Sequence, residues 1–197
     1  MPVYDLKFGR IRERESGAEI AEAAFVLPLV FMFLFGMVWF GRAFNIYTTI
    51  TSAAREGART AARATCATCA ASACTWAGTN LPCDQEVENA VLAVLQTSRV
   101  DKSHIQSYVP ASLATPTFCS APAPPGSCTA GPTTAITICR SVLLNPAALT
   151  NPGTPEQCGT VVSFQYQWGI DVPFPSYPYY SRRQITLSAE AESRMQN

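Results

Sequence analysis

The pattern of apolar and polar residues sets one long apolar segment near the start of the chain apart from everything that follows it. Residues 23–41 contain no charged side chain, and as a helix these 19 residues would extend roughly 28 Å, at about 1.5 Å per residue. That length is close to the thickness of the hydrocarbon core of a bilayer. No later segment is as long and as apolar. The pattern therefore predicts a single membrane span over about residues 23–41.

A secretory signal peptide begins in a similar way, but it ends differently. Its apolar core has about 7 to 15 residues and is followed by small residues at a cleavage site. Here the run is longer, and bulky residues and an arginine follow at positions 38–42. The small residues Ser-Gly-Ala at positions 16–18 instead precede the run. Cleavage there would remove a basic leader, residues 1–17, and would leave the membrane anchor in place.

Cleavage between Gly17 and Ala18 would change the surroundings of Glu22. Glu22 would become the fifth residue, one helical turn from the new α-amino group, so amine and carboxylate would lie on the same helix face. A lone carboxylate costs up to about 3 kcal/mol at the centre of a membrane span and less near its edge, and this cost favours pairing. In the alternative interpretation, Glu19 and Glu22 lie in the headgroup region and interact favourably with the positive end of the helix dipole.

Pro28 interrupts the hydrogen-bond pattern of the predicted span. It has no amide hydrogen, so it cannot donate to the carbonyl of Ala24, and a bend in the first third of the span is expected. Lipid offers no replacement donor for that carbonyl. The alternative is that Pro28 has no role in assembly, because proline is commoner in membrane helices than in soluble ones.

The helix is predicted to continue to about Ala64 as a stem, which makes residues 18–64 one helical region. Three arginines recur every four residues and form a basic ridge: Arg55, Arg59 and Arg63. Two ridges of small residues run beside it: Ala54, Ala58 and Ala62, and Ala53, Gly57 and Ala61. Small residues allow another backbone to approach closely. The small face is expected to pack on the chain's own domain or on neighbouring subunits, although such a helix can also be solvated along its length.

All eight cysteines follow the predicted span: Cys66, Cys69, Cys74, Cys83, Cys119, Cys128, Cys139 and Cys158. An even number of cysteines in a loop-rich domain implies disulfide bonds and an oxidising compartment. Basic residues are nearly balanced on the two sides of the span, so the positive-inside rule does not decide the orientation. The cysteines therefore favour a cytoplasmic amino terminus and an extracytoplasmic carboxy-terminal domain.

The cysteine spacing favours structural disulfides over a metal site or redox chemistry. It matches neither paired zinc knuckles nor the common iron–sulfur motifs, and the single histidine, His104, is remote. A redox CxxC motif would be expected near a βαβ pattern, which is missing from the sequence. Eight cysteines allow many pairings. A Cys119–Cys128 bond closing a Pro/Gly-rich loop and local pairing within residues 66–83 are both plausible.

Residues 65–197 are predicted to form one small α+β domain. A helix is expected over residues 84–98, with apolar residues at helical spacing. The predicted strands are residues 104–109, 134–140, 162–168 and 184–191. In residues 162–168 apolar and polar residues alternate, which indicates a half-buried strand. In the last strand Ile185, Leu187 and Ala189 share one face. The fold class is thus α+β: a long amino-terminal transmembrane helix and stem, then a disulfide-rich domain with one helix on an antiparallel sheet of three or four strands.

Three segments are predicted to be irregular. Residues 110–133 and 145–159 are rich in Pro, Ala, Thr and Gly, so they are expected to be loops held by disulfides. Residues 171–180 concentrate aromatic residues between prolines. This third segment is either a contact surface or a rigid connection whose rings fold onto the sheet.

The composition argues against catalysis and nucleic-acid binding. The 14 basic and 14 acidic residues balance, and no aromatic-basic platform is present. With one histidine and no Gly-rich phosphate loop, no catalytic constellation is found. We therefore expect a protein that is not an enzyme, has no cofactor or metal, and does not bind nucleic acid.

Several of these features together carry a family resemblance. Gly17, Ala18 and Glu22 resemble the class III signal of type IV pilin-like proteins, in which a prepilin peptidase cuts after the glycine and the fifth mature residue is glutamate. Three further motifs are EAAFVLP at residues 22–28, FGR at 40–42 and AREGAR at 54–59. In this order they resemble the TadE-like pseudopilins of tight-adherence (Flp) pilus systems.

The resemblance implies a minor, non-catalytic pilus subunit that is held in the inner membrane until it joins or primes a filament. The implied partners are membrane lipid, a prepilin peptidase, other pilin or pseudopilin subunits, and the inner-membrane pilus platform. The alternative is a membrane-tethered extracytoplasmic adhesin or binding module that never enters a pilus. A membrane redox protein is a more distant alternative.

Overall fold

The computed structural model describes residues 12–64, 74–76, 79–120, 126–131, 135–151, 153–169 and 184–195. Helix α1, Arg12–Ala62, has 51 residues and includes Pro28. It ends two residues before the predicted end at Ala64. The chain divides into two compact units, Met1–Asn45 and Ile46–Asn197.

In the described part of the first unit, helix α1 exposes its apolar side chains. Phe25, Met32 and Phe40 are each more than three-quarters exposed, and no side chain of the apolar run is buried. Within the described residues, α1 alone is long and apolar enough to cross a membrane, over a segment that begins at Glu19. Because large apolar side chains need an apolar environment, the bilayer predicted from sequence suits this segment.

The second unit contains a second helix, α2, Asp84–Thr97. It matches the predicted helix to within one residue. Asp84 and Glu86 lie in its first turn, where negative charge interacts favourably with the helix dipole. Val87, Val91 and Leu95, spaced every four residues, are fully buried. The apolar stripe that predicted the helix is therefore the face that it packs into the core.

The described residues of the second unit form a five-stranded antiparallel sheet. Its strands are β1 Ile105–Gln106, β2 Ser127–Ala130, β3 Thr137–Leu143, β4 Cys158–Gly169 and β5 Gln184–Arg194. Strand β4 is central. Strand β5 pairs along one of its edges. Along the other edge, β3 pairs with the first part of β4 and β1 pairs with a later part. Strand β2 extends the sheet beyond β3. The α+β class and the antiparallel sheet are confirmed.

Strand β3 lies three residues later than predicted, and β4 and β5 are longer than predicted. The larger differences are in three other places. The strand predicted over residues 104–109 has only two residues, because the 3₁₀ helix Lys102–His104 precedes it. Strand β2 lies within residues 110–133, which were predicted to be a loop, and makes the sheet larger than expected. The second predicted loop, residues 145–159, contains the 3₁₀ helix Pro146–Leu149 and the start of β4. The aromatic segment, residues 171–180, lies outside the described residues.

The half-buried alternation predicted for residues 162–168 is present from Phe164 to Trp168, but Ser163 is buried because the sheet is covered on both faces there. Val162 and Phe164 are fully buried on the side of the two helices. Val161, on the other side, packs in a small outer cluster. That cluster contains Leu113, Cys139, Val142 and Val161, with Phe118 and Leu144 against it. The segment before β2 covers this second face, and Ser163 donates a 2.8 Å hydrogen bond to the carbonyl of Tyr108 there.

Three disulfide bonds join cysteines of the described residues: Cys74–Cys83, Cys119–Cys158 and Cys128–Cys139. The Cys119–Cys128 bond suggested from sequence was wrong. Cys128 and Cys139 lie directly opposite each other on β2 and β3, with their Cα atoms 4.0 Å apart. The error followed from treating β2 as a loop, because that strand gives Cys128 its partner. Cys66 and Cys69 lie outside the described residues.

Candidate functional site

The residues of the predicted processing and assembly signal lie in helix α1. Gly17 and Glu22 are exposed, and Ala18 lies between them in the same helix. A Cβ atom added at Gly17 would have no neighbour within 4 Å. Pro28 is also exposed within the helix. No described side chain therefore blocks access to Gly17 or Glu22. Cleavage, the amine–carboxylate pair and the bend at Pro28 stay predictions.

The small residues of the stem face the chain's own domain. Ala54, Gly57, Ala58 and Ala61 are all buried. A Cβ atom added at Gly57 would lie 2.5 Å from a methyl carbon of Val91 on α2 and 3.4 Å from one of Val162 on β4. Only glycine allows this close approach between α1, α2 and the sheet. The sequence left two packing partners open, the chain's own domain and a neighbouring subunit. In the structure, the small face packs on the chain's own domain.

The basic ridge lies on the other side of the same helical segment. Arg55, Arg59 and Arg63 are exposed. In the part of the chain that the structure describes, these arginines form no salt bridge, and the ion pair between Arg140 and Asp84 lies elsewhere in the domain. The ridge is therefore a solvent-facing cationic surface.

A buried guanidinium fastens the end of α1 to the rest of the domain. Arg140 on β3 is 1% exposed. Its Nη1 donates to the carbonyl of Ala61 at 3.2 Å, and this carbonyl belongs to the last turn of α1, where no intrahelical donor is available. Its Nε and Nη2 both lie 2.9 Å from Oδ1 of Asp84, the first residue of α2. One side chain thus links β3 to both helices.

Two further groups complete this arginine clamp. Nη2 of Arg140 donates to the carbonyl of Pro82 at 2.7 Å, and the guanidinium lies 5.2 Å from the ring centroid of Trp76. Both partners belong to the short loop closed by the Cys74–Cys83 disulfide. Asp84 also accepts a 2.6 Å hydrogen bond from the hydroxyl of Thr129 on β2. We call Arg140, Asp84, Trp76, Pro82 and the Ala61 carbonyl the arginine clamp.

A β-bulge positions the guanidinium. Cys139 lies opposite Val161 and Val142 opposite Gly159, so two residues of β3 face one residue of β4. Ser141, within the bulge, has a φ of 56°. Bulges redirect side chains, and this one lies next to Arg140, at the point where it meets the helices.

Burial and the carboxylate of Asp84 have opposite effects on the pKa of Arg140. Burial lowers the pKa of Arg140 below its ordinary value, and the charge and hydrogen bonds of Asp84 partly offset this effect. Desolvation is the larger of the two. Arg140 therefore depends strongly on Asp84, because without this carboxylate the guanidinium would be a buried charge with no counterion.

A second polar group holds the loops beyond β3. The carboxylate of Glu156 accepts hydrogen bonds from the backbone amide of Ser120, at 2.9 Å, and from the Ser120 hydroxyl. These bonds lower the pKa of Glu156 below its ordinary value, with the hydroxyl as the larger cause. Glu156, Cys119 and Cys158 form a group of potential metal ligands. Both sulfurs are joined in a disulfide, so neither is a thiolate that could bind a metal.

The sequence analysis did not identify the arginine clamp. It placed Asp84 at the start of a helix and Arg140 at the end of a β-rich segment, but it did not connect them. The available signal was a charged residue at position 140 within an otherwise apolar and β-branched run, ITICRSVLL. A charge in such a run is expected to be buried and paired.

In the part of the chain that the structure describes, the fold and the exposed apolar helix define a class: a protein with one candidate membrane-spanning helix and a disulfide-bonded α+β domain. Residues 17–59 match a family model described as "TadE-like protein". The resemblance to TadE-like proteins inferred from the sequence motifs is thus confirmed over this segment. Searches of curated proteins and of solved structures gave no significant match.

Proposed function

We propose that this protein is a non-catalytic minor pseudopilin that helps to assemble, initiate or cap a tight-adherence pilus. The observation that carries the proposal is the family match over residues 17–59, which begins at the glycine of the predicted cleavage site. The match also includes Glu22, the apolar run and the stem as far as Arg59. The proposed partners are a prepilin peptidase, pilin-like subunits and the inner-membrane pilus platform.

The proposed mechanism begins with cleavage after Gly17. The new amino terminus at Ala18 would lie one turn from Glu22, so the two charges can neutralise each other or charges of a neighbouring subunit. Neutralisation lowers the cost of holding Glu22 near the hydrocarbon region. The helix can then move between the membrane and a subunit assembly with less loss of hydration energy.

The proposed orientation places the carboxy-terminal domain on the extracytoplasmic side. The three disulfide bonds support this orientation, since such bonds form and persist in oxidising compartments. The arginine clamp is compatible with a passive structural role, because its charged groups are engaged with each other.

The test is mass spectrometry of the mature amino terminus, in a host that has the pilus genes and a prepilin peptidase. The expected product begins at Ala18, and Gly17→Val should retain the full leader. Mature protein that keeps residues 1–17 would contradict the processing step.

A second variant tests the assembly step separately. Glu22→Gln removes one charge with little change in size and should reduce piliation, counted by electron microscopy, while the protein stays at normal abundance. Glu19→Gln is the matched control, because it removes a charge from the same helix one turn away. Equal piliation in both variants and in the unmodified protein would contradict a role of Glu22 in assembly. It would favour the alternative, a membrane-tethered module that does not enter a pilus.

A further inference from the structure

The basic ridge points away from the domain to which its helix belongs. Between residues 50 and 63, the buried residues of α1 are Ile50, Ala53, Ala54, Gly57, Ala58, Ala61 and Ala62. At about 100° per residue, the centre of the three ridge arginines lies roughly 150° around the helix from the centre of this buried set. Glu56, which is half-buried, is the acidic residue beside the ridge, so the surface keeps a net positive charge.

A pair of carboxylates lies on the opposite side of the same domain. Ala189 pairs with Phe164 and Ala191 pairs with Val162, and residues directly opposite each other share a face of the sheet. Val162 contacts the α1 glycine position, so this face is the helix side. Side chains alternate along a strand, which places Glu190 and Glu192 on the face away from the helices.

Both carboxylates are exposed at the edge of the sheet. Strand β5 is an edge strand, because only β4 pairs with it within the described residues. Glu190 accepts one hydrogen bond, at 3.3 Å from the hydroxyl of Ser112, and stays exposed. Glu192 is also exposed. We call Glu190 and Glu192 the acidic pair.

The distance between neighbouring arginines of the ridge is close to the distance between the two carboxylates of the acidic pair. Successive arginines of the ridge are four residues apart, which is about 6 Å along a helix. The two carboxylates are two residues apart on a strand, which is about 6.7 Å. Two neighbouring arginines can therefore meet both carboxylates at once.

We propose that the basic ridge of one copy of this chain binds the acidic pair of a second copy. Arg194, two residues after Glu192, restricts the register because it would repel a third arginine. The favoured register places Arg59 opposite Glu190 and a neighbouring ridge arginine, Arg55 or Arg63 according to the direction of the helix, opposite Glu192, so that Arg194 lies beyond the end of the ridge. The proposal does not depend on the pilus role and can be tested without it.

The geometry makes this contact head-to-tail. The two complementary surfaces lie on opposite sides of one domain, so a copy that uses its ridge still presents its acidic pair to another. Contacts between two different surfaces form rings or open chains rather than closed two-fold dimers. Exposed ion pairs are individually weak and are screened by salt, so the association is reversible and falls as ionic strength rises.

The experiment uses the full-length chain in its host membrane. A photoreactive benzoylphenylalanine is introduced at Ser188, an exposed position on the same strand face as the acidic pair. Illumination should give a covalent dimer, with the cross-link mapped by mass spectrometry to residues 51–64 of the second copy. Arg55→Glu/Arg59→Glu should lower the dimer yield about tenfold, because two attractions become two repulsions. Glu190→Arg/Glu192→Arg should do the same.

Complementation gives the decisive comparison. Neither charge-reversed chain should cross-link with itself, but the two co-expressed should recover a yield within about threefold of the unmodified chain. The control is Arg99→Glu/Lys102→Glu, an equal charge change at other exposed positions, which should leave the yield unchanged.

Three results would overturn the proposal. They are a cross-link that maps outside residues 51–64, no recovery in the mixture, and an equal loss in the control. The ridge variant could also lose binding to vesicles containing phosphatidylglycerol while its dimer yield stays normal. That outcome would assign the ridge to lipid headgroups and would equally refute self-association.

Discussion

Replacing Arg140 tests whether the arginine clamp holds the end of α1 in the domain. Arg140→Met keeps a long unbranched side chain but removes the charge and the guanidinium donors. It leaves the carbonyls of Ala61 and Pro82 without this donor and Asp84 without its buried counterion. The exposed Arg59→Met is the matched control, since it removes an arginine from solvent.

The magnitude follows from the groups that lose a partner. A buried carbonyl left without a donor costs about 1 to 3 kcal/mol, and breaking a buried ion pair from one side costs about 3 to 5 kcal/mol. Asp84 is 22% exposed, so water stabilises it in part and the lower end of this range applies. Removing the buried charge also recovers some desolvation energy. We expect Arg140→Met to lower the free energy of unfolding by about 3 kcal/mol and Arg59→Met by less than about 0.5 kcal/mol.

A double-mutant cycle separates the ion pair from simple packing. Asp84→Asn leaves the buried guanidinium without its counterion and should cost about 2 to 3 kcal/mol. Because both single variants break the same pair, the double variant should cost at least about 1 kcal/mol less than the sum of the two.

The assay is urea unfolding of the full-length protein in mild detergent, followed by near-ultraviolet circular dichroism of the domain. A loss below about 1 kcal/mol in Arg140→Met, or additive effects in the cycle, would refute the clamp as a stabilising unit.

Two further predictions concern the stem and the outer loops. Gly57→Ala should lower the free energy of unfolding by about 1 to 3 kcal/mol in the same assay, because the added methyl has no space. Gly41→Ala, where nothing lies within 4 Å, should have little effect, and equal losses would contradict the close-packing argument. The lowered pKa of Glu156 stabilises the fold above the ordinary value of 4.5, and this contribution disappears as the pH falls through the folded pKa. Glu156→Gln should therefore flatten the decrease in the urea midpoint of unfolding as the pH falls below about 4.5, and an unchanged pH profile would contradict the role of the Ser120 hydrogen bonds.

The parts of the fold that were predictable are those with a strong local pattern. The apolar run of α1, the stripe Val87, Val91 and Leu95, and the alternation after Val162 each specify their element through spacing alone. The small residues around Gly57 also indicated close packing, although the pattern could not distinguish the domain from a neighbouring subunit.

The parts that were missed depend on contacts between distant segments. Strand β2 has four residues and no apolar alternation, and it is held by pairing with β3 and by the Cys128–Cys139 bond. The bulge at Ser141 and the burial of Arg140 likewise depend on β4, α1 and α2 together. No local window of sequence contains these partners.

The arginine clamp also sets an order in time. Arg140 follows Ala61 by 79 residues, yet it supplies a donor to a carbonyl in the last turn of α1. Chains are synthesised from the amino terminus, so the stem emerges well before this partner exists. Until Arg140 has been synthesised, the carbonyl of Ala61 can accept hydrogen bonds only from water. The last turn of the stem therefore reaches its final hydrogen bonding only after most of the domain has been synthesised. The stability of the stem end thus depends on how much of the chain has been made.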